Sequence, residues 1–119
     1  MVIAVDFDGT LCGNEYPEIG PPNLELIKAL IEAQKVRGHY IILWTCRRDD
    51  MLREALDFCS EYGLEFDGVN NRPAAAPDIY ATPAGTSKYR KVFADIYIDD
   101  RALSPSQFCI SLKEFSKNP

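Results

Sequence analysis

No CxxC pair occurs in this chain, and Cys12, Cys46, Cys59 and Cys109 are too scattered to match a metal-ligand spacing. A cysteine-built metal site is excluded. The four read as reduced thiols, with Cys12 and Cys46 as filler rather than redox groups. Positive charge is also in short supply: 13 basic against 18 acidic residues leave a net charge of -5 and a pI near 4.8. That excludes broad electrostatic adhesion to nucleic acid or anionic membranes and leaves only a local basic patch. No apolar run approaches bilayer length. No basic leader or small-residue cleavage site precedes the first strand, so a cytoplasmic protein is expected. There is no internal repeat, no heptad array and no low-complexity tail. The 119 residues suffice for one domain, 1–119, and not for two.

What is present begins at the first residues. The run Val2-Ile3-Ala4-Val5 is short, apolar and rich in β-branched residues, and it ends in Asp6-Phe7-Asp8-Gly9-Thr10-Leu11. It reads as a buried strand over 2–6. Alternation along an extended chain points Asp6 and Asp8 the same way, with Phe7 opposite. Two carboxylates held together resist joint ionisation without a cation. A hard, oxygen-seeking ion such as Mg²⁺ suits them. An Asp-rich turn is the plainer alternative for this segment alone.

The rest of the chain alternates strands and helices. Residues 12–22 are polar and rich in Gly and Pro, hence a loop. Pro21-Pro22-Asn23 opens a helix with Leu24, Ile27, Leu30 and Ile31 at helical spacing, which Gly38 stops. A second strand runs over 40–44 and ends at Thr45. A second helix is capped by Asp49 or Asp50, carries Leu52, Ala55, Leu56 and Cys59 on its apolar face, and ends at Gly63. A third strand spans 65–69. A loop over 70–85 follows, broken by Pro73, Pro77 and Pro83, and its length suggests a functional role. Thr86 or Ser87 starts a third helix reaching about 93, then comes a fourth strand over 94–98. Ser104-Pro105 opens a last helix with Phe108, Leu112 and Phe115 on its apolar face. This order predicts a three-layer α/β Rossmann-like domain, a parallel sheet with helices on both faces.

In such a sheet the strand tips share one edge, where open α/β folds bind ligands. Asp6 and Asp8, Thr45, and Asp99 with Asp100 would meet there, with Lys88 just before the last strand. One site would hold four carboxylates, a hydroxyl, an ammonium and a metal. His39, beside the helix-ending Gly38 and away from the tips, reads as structural or surface.

These segments resemble the haloacid dehalogenase superfamily. Asp6-Phe7-Asp8-Gly9-Thr10-Leu11 is similar to its first motif, DxDGT. The apolar run Ile41 to Trp44 ending at Thr45 is similar to the second, Lys88 to the third, and Ile96-Tyr97-Ile98-Asp99-Asp100 to the fourth. The match keeps order and spacing over nearly the whole chain. It implies a Mg²⁺-dependent phosphatase in which Asp6 is the nucleophile that forms an aspartyl-phosphate. Asp8 would be the general acid and then the base, its side chain free of the metal while its backbone carbonyl binds it. Phosphatase members carry Asp at that position and dehalogenases do not. Asp6, Asp99 and Asp100 would complete the metal shell. Thr45 would donate to a phosphoryl oxygen, and Lys88, preferred over Lys91, would neutralise charge.

Arg47, directly after the second motif, reads as a substrate contact or a surface charge. Arg48, Arg72 and Arg101 share that ambiguity. Neither gap between motifs has room for a cap domain, so the resemblance implies a capless member with an open site. The substrate would be a small phosphomonoester bound in a homo-oligomer, with no membrane partner. A phosphoprotein or a nucleic-acid end is the alternative. The acidic balance disfavours the nucleic acid, but Arg47, Arg48, Lys88, Arg90 and Lys91 could cluster to receive it. A non-catalytic Mg²⁺- or phosphate-binding signalling module is the competing class. A phospho-receiver domain fits worse, because its paired acids stand on the first strand and not the last.

Overall fold

The computed structural model describes residues 1–71, 92–102 and 104–115, the last five of these by backbone only. Strands β1 (Val2–Val5), β2 (Tyr40–Leu43), β3 (Gly68–Val69) and β4 (Ile96–Ile98) form one sheet in the order β3-β2-β1-β4, and every pairing is parallel. Helices α1 (Leu24–Lys35), α2 (Asp49–Glu61) and α3 (Pro105–Phe115) connect and follow the strands. The α/β class and the parallel sheet are as the sequence predicts. Among the described residues there is no cap domain.

The strand order places a switch point between β1 and β4. From β1 the chain steps outward through β2 to β3 and then returns to the other side of β1. Neighbouring connections leave in opposite directions there and open a crevice at the strand ends. Asp6 sits on one side of it, Asp99 and Asp100 on the other.

One face of the sheet, built on Ile3, Val5, Ile41 and Leu43, packs against Ile27 and Leu30 of α1 and Ala55 and Cys59 of α2. Phe7, Leu11 and Leu64 complete this core and are fully buried. The opposite face, Val2, Ala4 and Ile42, is covered by Val92, Ala94 and the part-buried Tyr40, Trp44 and Tyr97. The first two expected helices are therefore present, and both pack on this face. The helix expected over 86–93 lies outside the described residues, apart from its last two positions. On α3, Phe108 and Ile110 stand exposed rather than forming a buried face. The side chains of Leu112 and Phe115 lie outside the description.

Several boundaries differ from expectation for one physical reason: side chains replace backbone in the ladder. β3 begins at Gly68 rather than at 65 because the Asp67 carboxylate takes the Ile41 N–H at 2.7 Å. β4 begins at Ile96 rather than at 94 because Asp95 Oδ2 accepts from Val2 N at 2.7 Å. The Tyr97 hydroxyl meanwhile takes the Ala94 N–H and donates to the Val92 carbonyl. At the helix starts, Asn23 caps α1 through its side chain, accepting from Leu26 N. Ser104 and Gln107 cap α3 reciprocally. The expected Asp cap of α2 is corrected: Arg48 holds the cap position without a side-chain bond, and Asp49 and Asp50 lie inside the first turn. Their charge still suits the helix dipole there.

Residues 12–22 form a short flap closed at its base. Gly13 N donates to Pro21 O at 2.9 Å, and a Cβ on Gly20 would lie within 2.7 Å of Gly13 Cα. Only glycine permits that approach.

Candidate metal and phosphate site

Asp6 follows β1, and its N–H donates to Ile98 O at 2.9 Å, which ties it to the tip of β4. The next residues of that strand are Asp99 and Asp100. One carboxylate oxygen from each of the three lies within 4.8 Å of the others. Asp6 is half-buried and the other two are exposed.

Local contacts fix both acids of β4. Asp99 Oδ1 accepts from Arg101 N at 2.8 Å, and Asp100 N donates to Thr10 Oγ1 at 3.1 Å. Gly9 has φ +81°, and a Cβ at this position would clash with the Asp100 carboxylate. Burial raises the Asp6 carboxyl to about 6, with further pushes from Asp99, Asp100 and Asp8, against the opposing pull of the Phe7 N–H. The cluster is thus a set of hard oxygen donors whose charges oppose one another, an arrangement that a small divalent cation relieves.

Asp8 lies apart from this cluster. Both its oxygens accept from Arg47, Oδ2 from Nε at 2.8 Å and Oδ1 from Nη2 at 2.7 Å. Arg47, expected as a substrate contact or a surface charge, is 2% exposed. Its guanidinium lies 5.1 Å from the Phe7 ring centroid and 5.1 Å from that of Tyr16, and Nη2 also donates to Glu18 O. The surface reading is corrected. The Asp8 hydrogen bonds raise the guanidinium pKa further.

Thr45 stands at the tip of β2, next to β1. Its Oγ1 accepts from Arg47 N at 3.1 Å, the turn contact that threonine often makes. A hydroxyl that accepts still has its proton to donate. The backbone of Thr45 is clamped on both sides by Asn70, whose Oδ1 takes Thr45 N at 2.8 Å and whose Nδ2 donates to Thr45 O at 3.0 Å.

Lys88 lies outside the described residues, as do Arg72, Arg90 and Lys91 and nearly all of the 70–85 loop. Arg48 and Arg101 are exposed. His39 lies at the far end of β2, its Nδ1 3.0 Å from the Met1 amino nitrogen, away from the strand tips. None of the four cysteines is paired; Cys12 and Cys59 are buried and Cys46 and Cys109 exposed. Burial pushes the Cys12 thiol up and takes Cys59 to about 12, so both stay protonated.

Thr10 and Asn70 also belong to the site, beyond the residues expected from the sequence. Thr10 was visible only as part of a motif, without its contact to Asp100. Asn70 did carry a signal: it is the first polar residue after β3, and so belongs to the same edge of tips as Asp6 and Thr45.

No protein-family model matches the chain, and no curated protein matches it. Among solved structures, a conserved protein from Bacteroides thetaiotaomicron is similar at 34% identity with a TM-score of 0.72, and the match covers 100% of this chain and 93% of that one. At this identity and coverage, the chain belongs to the same family as that conserved Bacteroides thetaiotaomicron protein.

Proposed function

We propose that this protein is a Mg²⁺-dependent phosphomonoester phosphatase of the haloacid dehalogenase type. The observation that carries the reading is the meeting of Asp6, Asp99 and Asp100 at the switch point of a parallel sheet, with Thr45 on the neighbouring tip. The donor set fits Mg²⁺: carboxylate oxygens only, no thiol and no imidazole. Asp6, Asp99 and Asp100 would hold the ion, with the Asp8 backbone carbonyl as a further ligand. When bound, the ion supplies positive charge against the acids and the phosphoryl oxygens.

The residues then divide the work. An Asp6 oxygen attacks phosphorus in line with the ester oxygen, and the P–O bond to the leaving group breaks. Asp8 delivers a proton to that oxygen and later takes one from the water that hydrolyses the aspartyl-phosphate. Thr45 turns its free hydroxyl proton toward a phosphoryl oxygen, and Asn70 keeps its backbone in place. Lys88 is the proposed partner for the remaining phosphoryl charge. A site without a cap domain suits a small phosphomonoester enclosed by a second subunit, or a larger phosphorylated partner that closes the site itself.

The four unpaired cysteines support a reducing, cytoplasmic setting. Among the described residues no helix is long and apolar enough to cross a membrane.

One observation favours a second reading. Both oxygens of Asp8 are occupied by Arg47, as would suit a module that binds metal and phosphate without turning over. Phosphate release from an aryl phosphate, with and without Mg²⁺, for wild type and Asp6→Asn, separates the two. Mg²⁺-dependent release that Asp6→Asn abolishes is the expected result. Mg²⁺ binding without release from any of a panel of phosphate esters would establish the binding module instead.

A further inference from the structure

Strand alternation puts Asp8 on the same side as Asp6, yet the Asp8 oxygens are missing from the cluster that Asp6 forms with Asp99 and Asp100. Asp8 is engaged by Arg47 instead. Its planar fork engages both Asp8 oxygens at 2.7 and 2.8 Å, the bidentate geometry that a lysine cannot reproduce.

The fork itself has no freedom. Phe7 and Tyr16 flank its plane, and the Glu18 carbonyl takes a further Nη2 proton at 3.1 Å. Nη1 is buried and has no partner among the described residues. A buried donor left unpaired carries a free-energy cost.

We propose that Arg47 is a positioning residue that holds the Asp8 carboxylate out of the Asp6/Asp99/Asp100 cluster, so that a divalent cation there meets three carboxylates and not four. The inference rests on the reading of that cluster as a divalent-cation site. With a fourth carboxylate the cation would be bound more tightly, and its charge would be spent on protein ligands rather than on a phosphoryl group.

The test is calorimetric titration of the full chain with Mg²⁺ and with Mn²⁺, for wild type, Arg47→Met and Arg47→Met/Asp8→Asn. Methionine keeps an apolar stem between Phe7 and Tyr16 and removes the fork. Arg47→Met is expected to bind both ions about tenfold more tightly, because a fourth charged ligand is released to the site. The double variant is expected to return to the wild-type affinity.

Unchanged or weaker binding by folded Arg47→Met overturns the proposal. So does tightening that persists in the double variant, or the absence of divalent binding in both wild type and Arg47→Met. If Arg47→Met does not fold, Arg47→Lys decides. Tighter binding that needs Asp8 supports the proposal, and wild-type affinity overturns it. Phosphatase activity is a separate outcome. Asp8-dependent tightening in a protein without turnover keeps this proposal and removes the phosphatase reading. Turnover with unaltered Arg47→Met affinity does the reverse.

Discussion

Gly9 and Asp100 are ninety-one positions apart and in contact: a Cβ built on Gly9 would lie 2.8 Å from Asp100 Cγ. Gly9 also has φ +81°, a backbone conformation open to glycine and strained for other residues. The turn that ends β1 and the acid that ends β4 are therefore shaped to one another. The Asp100 N–H also donates to the Thr10 hydroxyl oxygen.

Gly9→Ala is expected to destabilise the protein by about 1–3 kcal/mol through backbone strain, and to weaken divalent-ion binding as Asp100 is displaced. Thermal unfolding and a Mn²⁺ titration check the two effects. Unaltered Mn²⁺ affinity would show that Asp100 is not a ligand.

The metal-free protein is expected to lose stability as pH rises from about 4 to about 6. Asp6 titrates near 6 in the folded chain against 3.8 as a free side chain. Between those values the folded form keeps a proton that the unfolded form releases, so folding is favoured at the lower pH and the advantage disappears above 6. Asp6→Asn is thus expected to stabilise the metal-free protein at pH 7.5 by about 1–2 kcal/mol, allowing for solvent screening of a half-buried group. That gain should vanish at pH 4. Thermal melts in chelator at the two pH values measure it.

Adding Mg²⁺ should reverse the sign. An ion that binds only the folded state stabilises it by mass action, by about 2.7 kcal/mol at one hundred times its dissociation constant. Wild type in excess Mg²⁺ is therefore expected to melt higher than in chelator, and Asp6→Asn to show little response. Equal responses from the two proteins would remove Asp6 from the ligand set.

Asp8→Asn is expected to cost about 3 kcal/mol, because it leaves the Arg47 charge buried and uncompensated. Arg47→Met on top of it should recover most of the loss. Denaturant unfolding of wild type, both single variants and the double variant reads this coupling directly. Additive losses would show the pair to be independent despite its 2.7 Å contact.

Asn70→Ala removes both bonds that clamp Thr45 and is expected to cost about 1 kcal/mol. It should also weaken binding of inorganic phosphate in the presence of Mg²⁺. Asn70→Asp keeps the acceptor for Thr45 N and loses the donor to Thr45 O, so its effect should fall between wild type and alanine. A phosphate titration that does not distinguish the three would place Thr45 outside the phosphate site.

Much of the frame is local and so was legible in the sequence. Val2 to Val5 reads as a strand because a short apolar run rich in β-branched residues leads into an Asp-Gly turn, and Asn23 reads as a cap because its side chain reaches Leu26 N three residues on. The gathering of Asp6, Asp99 and Asp100 also follows from sequence order, since a parallel sheet puts every strand tip on one edge. The partners of those tips depended on the tertiary structure. Arg47 meets Asp8 across 39 positions, Asn70 meets Thr45 across 25, and Asp100 meets Thr10 across 90. No periodicity marks an arginine for burial, because its pairing energy depends on a carboxylate and two aromatic rings that only the folded chain brings to it. The chemistry at the strand tips is thus written in residue order, whereas the separation of Asp8 from the acidic cluster arises only when β1, the flap and the turn after β2 close around Arg47.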